Sequence, residues 1–161
     1  MVATSRAQVV SSFTIVKGSL IEETYLIFQN WDFELTKREN LNRVKESNPI
    51  AATSANWLLN VAKVLNRRFD PTGRDRPLVE LAQAGCRREI WLPLLLWHMT
   101  RDEYLVRHFL GDWLFTQFND GAYRLRSEDL YPYLQSLADQ GLTSSESWTI
   151  PTLKRVAAGL L

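Results

Sequence analysis

Residues 90–118 read IWLPLLLWHMTRDEYLVRHFLGDWLFTQF, and the reading of this stretch decides the fold. It carries Trp91, Trp97 and Trp113 together with Phe109, Phe115 and Phe118. Thr100 is followed three residues later by Glu103, the spacing of a capping box, in which hydroxyl and carboxylate satisfy the free N–H groups of a helix start. Beyond it Leu105, Val106, Phe109, Leu110 and Trp113 recur at helical spacing on one face. Leu114, Phe115 and Phe118 extend the apolar surface round the cylinder, and a helix apolar on most sides is buried by several neighbours. Arg101–Phe118 is therefore expected to be the central helix of an all-helical core. Asn119-Asp120-Gly121 ends it, with Gly121 free to take the left-handed conformation.

Outward toward the N-terminus, the patterns stay helical. A helix from about Arg87 carries Ile90, Trp91, Leu94, Leu95 and Met99, and Pro93 should kink it unless it falls in the first turn. Asp75 caps a short helix starting near Pro77 and ending at Ala84-Gly85. Asp70-Pro71-Thr72-Gly73 reads as a turn. Ser54 or Thr53 caps a helix running to about Phe69, with Trp57, Leu58, Val61, Val64, Leu65 and Phe69 as its apolar set. Thr36 and Glu39 form a capping box for Lys37–Lys45, which Asn48-Pro49 breaks. Ser19 and Glu22 suggest another box before Leu20, Thr24, Ile27, Phe28 and Trp31. Glu22 and Glu23, adjacent on a helix, diverge by about 100° and read as a solvated, dipole-complementing pair rather than a catalytic one. Gln8–Val16, rich in β-branched residues, is the one strand candidate, an edge strand or arm with no obvious partner.

On the other side, YRLR at 123–126 precedes a helix capped by Ser127, with Leu130, Tyr133, Leu134 and Leu137 as its apolar face and Gly141 as its stop. Thr143–Ser147 is a polar turn, and Thr149 caps a last helix with Pro151 at its start. The fold class is all-α, with a helical body over 1–121 and a helix-turn-helix-like segment over 122–161.

Composition narrows the function. The chain has 161 residues and a net charge of +1, so total charge makes no case for nucleic acid, yet 14 of its 19 basic residues are arginine, the type suited to phosphate. With Cys86 as the only cysteine, no internal disulfide can form, as suits a reducing cytoplasm. The N-terminus lacks a signal-like apolar run. The densest apolar run, Ile90–Trp97, is far shorter than the roughly 20 residues that span a bilayer, so a cytoplasmic protein without membrane contact is expected. His98 and His108 are the only histidines and have no metal-ligand spacing. Phosphate-loop, dinucleotide and nucleophile-elbow motifs are absent. His108 and Asp112 lie one helical turn apart, the spacing of an acid–base dyad, but a surface hydrogen bond is the expected role. No catalytic residue, cofactor or metal is assigned, and the protein is not expected to be an enzyme.

Two basic groups remain. Arg67 and Arg68 end a helix, where cations complement its dipole; with Arg74 and Arg76 they could instead contact phosphate. Arg124, Arg126, Lys154 and Arg155 form the second group. A helix-turn-helix presents the start of its second helix to the major groove, which makes Thr152 and Lys154 candidate base-edge contacts and the basic residues phosphate contacts.

Several segments together carry a family resemblance: Phe13–Trp31 with its KGSLIEET core, the helix ending Asn66-Arg67-Arg68-Phe69, Thr100-Arg101-Asp102 through Phe109-Leu110 and Asp112, Leu130–Leu134 after YRLR, and Trp148 with Thr152–Val156. In these, over nearly the whole chain, it resembles the family of BrxA, a small component of the BREX phage-resistance system. The resemblance implies a helical body similar to the antitermination factor NusB, a winged-helix-like C-terminal part, and a non-enzymatic DNA-binding role in phage defence. Family members look longer, so the sequence is expected to stop within or just after the recognition-like helix, before any wing strands. The reading is double-stranded DNA binding beside other defence proteins. Its rivals are a protein–protein adaptor, which an exposed aromatic patch from Trp31, Trp57 or Trp148 would favour, and a NusB-like RNA-binding protein.

Overall fold

Local signals at helix starts set most of the architecture. A computed structural model describes residues 10–11, 15, 19–69, 73–143 and 148–161. By compactness the chain divides into Leu20–His98 and a second unit made of Met1–Ser19 with Met99–Leu161. The turn at Gly121, where the sequence suggests a boundary, lies inside the second of these. Among the described residues the fold is all-α.

In the unit Leu20–His98, helix α1 (Ile21–Gln29) starts differently from the Ser19–Glu22 box expected of it. Leu20 is its N-cap, in the left-handed conformation with φ 50°, and no side chain caps it. The Leu20 carbonyl instead gathers the Thr24 amide at 3.0 Å, the Thr24 hydroxyl and the Arg68 guanidinium at 3.3 Å. Three donors on one carbonyl fix a backbone conformation that a leucine rarely adopts. Glu22 and Glu23 stand in the first turn as expected, and Glu22 meets Arg88 at 2.7 Å on the surface.

The Thr36–Glu39 capping box forms, and helix α2 (Lys37–Ser47) ends at left-handed Asn48. Ser54 caps helix α3 (Ala55–Arg68), accepting from the Trp57 amide. Helix α2 packs on α3, burying Leu41 and Val44 on one side and Leu58, Val61 and Leu65 on the other. Helix α4 (Arg76–Gln83) follows Asp75 with Pro77 in its first turn, and packs against α1. Its stop, Gly85, has φ 72°. Helix α5 (Arg88–Asp102) contains Pro93 beyond its first turn.

Trp91, fully buried, centres the unit. Its indole N–H donates to the Leu78 carbonyl at 2.8 Å, and the rings of Tyr25 and Phe28 stand edge-on to it at 4.9 and 5.7 Å. Such aromatic pairs add about 0.5–1.5 kcal/mol each beyond the area they bury. Buried Asn40, which the periodicity does not single out, holds the loop before α2: its amide donates to the carbonyls of Asp32, Leu35 and Thr36 and accepts from the Asp32 amide.

In the other unit, the expected single helix Arg101–Phe118 is broken. Thr100 lies within α5 and no Thr100–Glu103 box forms; Glu103 is the N-cap of helix α6 (Tyr104–His108), in extended conformation and without a side-chain cap bond. Its amide closes α5 onto Met99 at 2.8 Å, while its carbonyl accepts the Arg107 amide at 3.1 Å, so one residue serves both helices. A π-helical segment, Phe109–Leu114, leads into α7 (Phe115–Asn119). Leu105, Val106 and Phe109 are buried as expected, but Phe115 is 59% and Phe118 74% exposed. Packing covers one side of this helix, and the expectation of burial all round is wrong for its second half.

A short 3₁₀ turn, Ser127–Leu130, opens α8 (Tyr131–Asp139). Ser127 does not cap it: the Arg126 amide donates to the Asp129 carboxylate at 2.7 Å instead. Helix α9 (Ile150–Leu160) packs on both the 3₁₀ turn and α8. The strand expected over Gln8–Val16 falls largely outside the described residues; within them Val10 makes a single parallel bridge to Thr143, with its amide on the Leu142 carbonyl at 2.9 Å, but Ile15 is helical, so the expected strand does not extend over it. Ile15 is buried against Gly159 of α9.

Candidate nucleic-acid interface

The two basic groups fall into different units, and each is described by itself. In the unit Leu20–His98, four arginines adjacent in sequence meet four different surroundings. Arg68 is buried, 4% exposed, and gives one guanidinium nitrogen to Thr24 Oγ1 at 3.0 Å and the Leu20 carbonyl at 3.3 Å. It points into the fold, so the phosphate role considered for it does not match its place. The physical reason is the phase of α3: Leu58, Val61, Leu65 and Arg68 share its buried face. Arg67 is half-buried and Arg74 exposed. Arg76 is exposed but engaged, with its Nε on Glu80 Oε1 at 2.8 Å and its guanidinium 4.5 Å above the centre of the Phe33 ring. It borders a cavity of about 350 Å³ walled by Trp31, Phe33, Lys37, Phe69 and Asp75. Lys37 Nζ there donates to the Phe69 carbonyl at 3.1 Å, so both cations of the cavity already have partners.

In the other unit the second group is differently placed. Arg124 and Arg126 lie on the irregular stretch between Gly121 and the 3₁₀ turn, and both are exposed. Lys154 and Arg155 are exposed on α9, whose buried face is formed by Val156 and Ala157. None of these four side chains makes an ion pair among the described residues. Thr152, half-buried, shares a 3.0 Å hydrogen bond with the Thr149 hydroxyl at the start of α9. The connection between α8 and α9 runs from Gln140 to Thr149, longer than the roughly 3–4-residue turn of a helix-turn-helix.

His108 sits in an aromatic cluster. Its Nδ1 is 3.1 Å from the Tyr133 hydroxyl and 3.8 Å from the Asp112 carboxylate. The imidazole stacks on Tyr133 at 5.7 Å, and Trp113 lies 5.5 Å from the same phenol ring. Burial, and then the Asp112 charge, push the Tyr133 phenol well above its ordinary range, so it stays a neutral hydroxyl. The hydrogen bond expected for His108 thus goes to a phenol that sequence spacing did not suggest.

The three tryptophans that would have marked an adaptor surface are all half-buried, and Trp31 stacks on Phe69 at 3.8 Å. The exposed large apolar side chains are others, among them Phe115, Phe118 and, at 98% exposure, Tyr123. Among the described residues no group of His, Cys, Asp and Glu is arranged to hold a metal ion, and no helix is long and apolar enough to cross a membrane. No curated protein and no solved structure matches the chain significantly. One protein-family model, described as BrxA, matches residues 12–161.

Proposed function

The chain belongs to the BrxA family, whose members are components of BREX phage defence, and from this premise we propose that it binds double-stranded DNA without catalysis. The observation that supports the reading is the set of four exposed cations, Arg124, Arg126, Lys154 and Arg155, gathered in one compact unit with no carboxylate paired to them among the described residues. Cations left without partners at a surface keep their full charge for phosphate. Pairing, by contrast, reduces what Arg76 can offer, and burial withdraws Arg68. Thr152 and Lys154 in the first turns of α9 remain the candidates for base-edge contact; Arg67 and Arg74, in the other unit, are a separate candidate pair outside this set of four. The NusB-like body, the winged-helix-like C-terminal part, a cytoplasmic location and contact with other defence proteins belong to the same proposal.

Duplex binding as a function of salt tests it. Four phosphate contacts give a log–log slope of about −3.6 at roughly −0.9 per contact. Neutralising Arg124 and Arg126 should flatten the slope by about 1.8 on the same basis. A slope unchanged after all four are neutralised would place the contact surface elsewhere.

A further inference from the structure

Helix α7 and the segment that joins it to the 3₁₀ turn carry three exposed rings that the duplex reading leaves unused. Phe115 and Phe118 are 59% and 74% exposed on a short helix, and Tyr123 is 98% exposed a few residues on. The chain reverses between them: the Gly121 amide returns to the Phe118 carbonyl at 3.1 Å and the Ala122 amide to the Gln117 carbonyl at 2.9 Å. Tyr123 is therefore anchored close to the end of the helix that bears the two phenylalanines. Arg124 and Arg126 follow immediately, exposed and without an ion pair among the described residues. The neighbouring carboxylates are Asp112, Asp120, Glu128 and Asp129. Asp129 is held by the Arg126 amide and Asp112 lies near His108, and none of the four pairs with either guanidinium.

Exposed rings beside free guanidinium groups suit unpaired bases better than a duplex. Every base has a π-face, and stacking on an aromatic side chain contributes about 1–3 kcal/mol per base. The bases of a duplex are already stacked and do not offer that face. An apolar protein partner would bury the same rings, but it would have no use for two uncompensated cations at their edge.

We propose that Phe115, Phe118 and Tyr123, flanked by Arg124 and Arg126, form a stacking platform for single-stranded nucleic acid. The proposal rests on the nucleic-acid reading above only through the two shared arginines; its rings are its own.

The test is binding of the full chain to fluorescently labelled oligo(dT), oligo(rU) and a mixed-sequence duplex. Phe118→Leu and Tyr123→Leu keep apolar bulk and remove the ring. Each should weaken both single strands about 5–150-fold, the conversion of about 1–3 kcal/mol per stacked base, leave duplex affinity within twofold, and leave the melting midpoint unchanged because both positions are exposed. Tyr123→Trp should retain binding, and its indole emission should be quenched by the single strand. The single-strand salt slope should be about −1.4, two contacts at roughly −0.7 each, shallower than that of the duplex. Preference for oligo(dT) or oligo(rU) distinguishes a DNA from an RNA strand as the ligand, and either supports the platform. Single-strand binding that the leucine variants do not weaken overturns it, as does absence of single-strand binding. Absence of duplex binding alone overturns the duplex reading and leaves the platform standing.

Discussion

Replacing Arg68 separates a structural arginine from a phosphate contact. In Arg68→Met the stem and much of the volume remain, while the two hydrogen bonds to Thr24 Oγ1 and the Leu20 carbonyl are lost. Hydrogen bonds from a charged donor contribute about 1.5–3 kcal/mol each. The Leu20 carbonyl keeps the Thr24 amide and hydroxyl, so its own desolvation is not exposed and the lower end applies. The expected loss is about 3 kcal/mol, equivalent to a fall of roughly 10 °C in melting midpoint. Four of the six tryptophans, Trp31, Trp57, Trp91 and Trp97, lie in the unit Leu20–His98 with Arg68; with Trp113 and Trp148 replaced by phenylalanine, tryptophan fluorescence during heating reports that unit. Duplex affinity below the transition should stay within twofold. A midpoint lowered by less than about 2 °C together with a clear loss of DNA affinity would refute the reasoning, and would return Arg68 to the surface group where sequence adjacency first placed it.

Three further outcomes are expected. Gly159→Ala should destabilise by about 1–3 kcal/mol in chemical denaturation, because an added Cβ would lie 2.8 Å from Ile15 Cγ2 and 2.9 Å from the Ile15 carbonyl oxygen. A gain in stability, as helix propensity alone would give, would show that Ile15 does not pack there. Ala51→Gly should stabilise by about 0.5–1 kcal/mol, since Ala51 has φ 50° and is exposed; an unchanged denaturation midpoint would mean that the loop is not held in that conformation. The Thr36 hydroxyl and amide hold the Glu39 carboxyl below its ordinary value of 4.5. Its contribution to stability is therefore complete above about pH 4.5 and fades as pH falls through the lowered value. Glu39→Gln should flatten the acid limb of the stability profile, and an unaltered limb would count against the capping box.

Two helix starts, at Thr36 and Ser54, and two helix ends, at Asn48 and Gly85, behave as their chemistry dictates because a cap is a local arrangement. The caps expected of Asp75 and Thr149 do not form: both residues stand at N-cap positions without a side-chain cap hydrogen bond. The family was legible as well, through hydrophobic spacing and a few polar anchors spread along most of the chain. Non-local arrangements were not. The Thr100–Glu103 spacing imitates a cap, but both residues lie near the junction of two helices, where Glu103 serves each by its backbone. Leu20 has no propensity for φ 50° and is held there by Arg68, 48 residues away. Within the candidate interface, side-chain type identified cations but not their employment: only packing distinguishes buried Arg68 and paired Arg76 from Arg124 and Arg155. Phe115 and Phe118 were misread for the same reason, since apolarity states that a face would gain from burial and not that a neighbour exists to bury it.

The bridge from Val10 to Thr143 fixes an order of events in time. Both partners lie in the unit assembled from the two ends of the sequence, whereas Leu20–His98 is uninterrupted. During translation at about 5–20 residues per second, Val10 leaves the ribosome on the order of ten seconds before Thr143 exists to receive it. Leu20–His98 has by then been synthesised whole and is free to fold, while the early segment waits with its apolar residues uncovered. The nascent chain should therefore mature inside-out, its middle acquiring structure first and its beginning last.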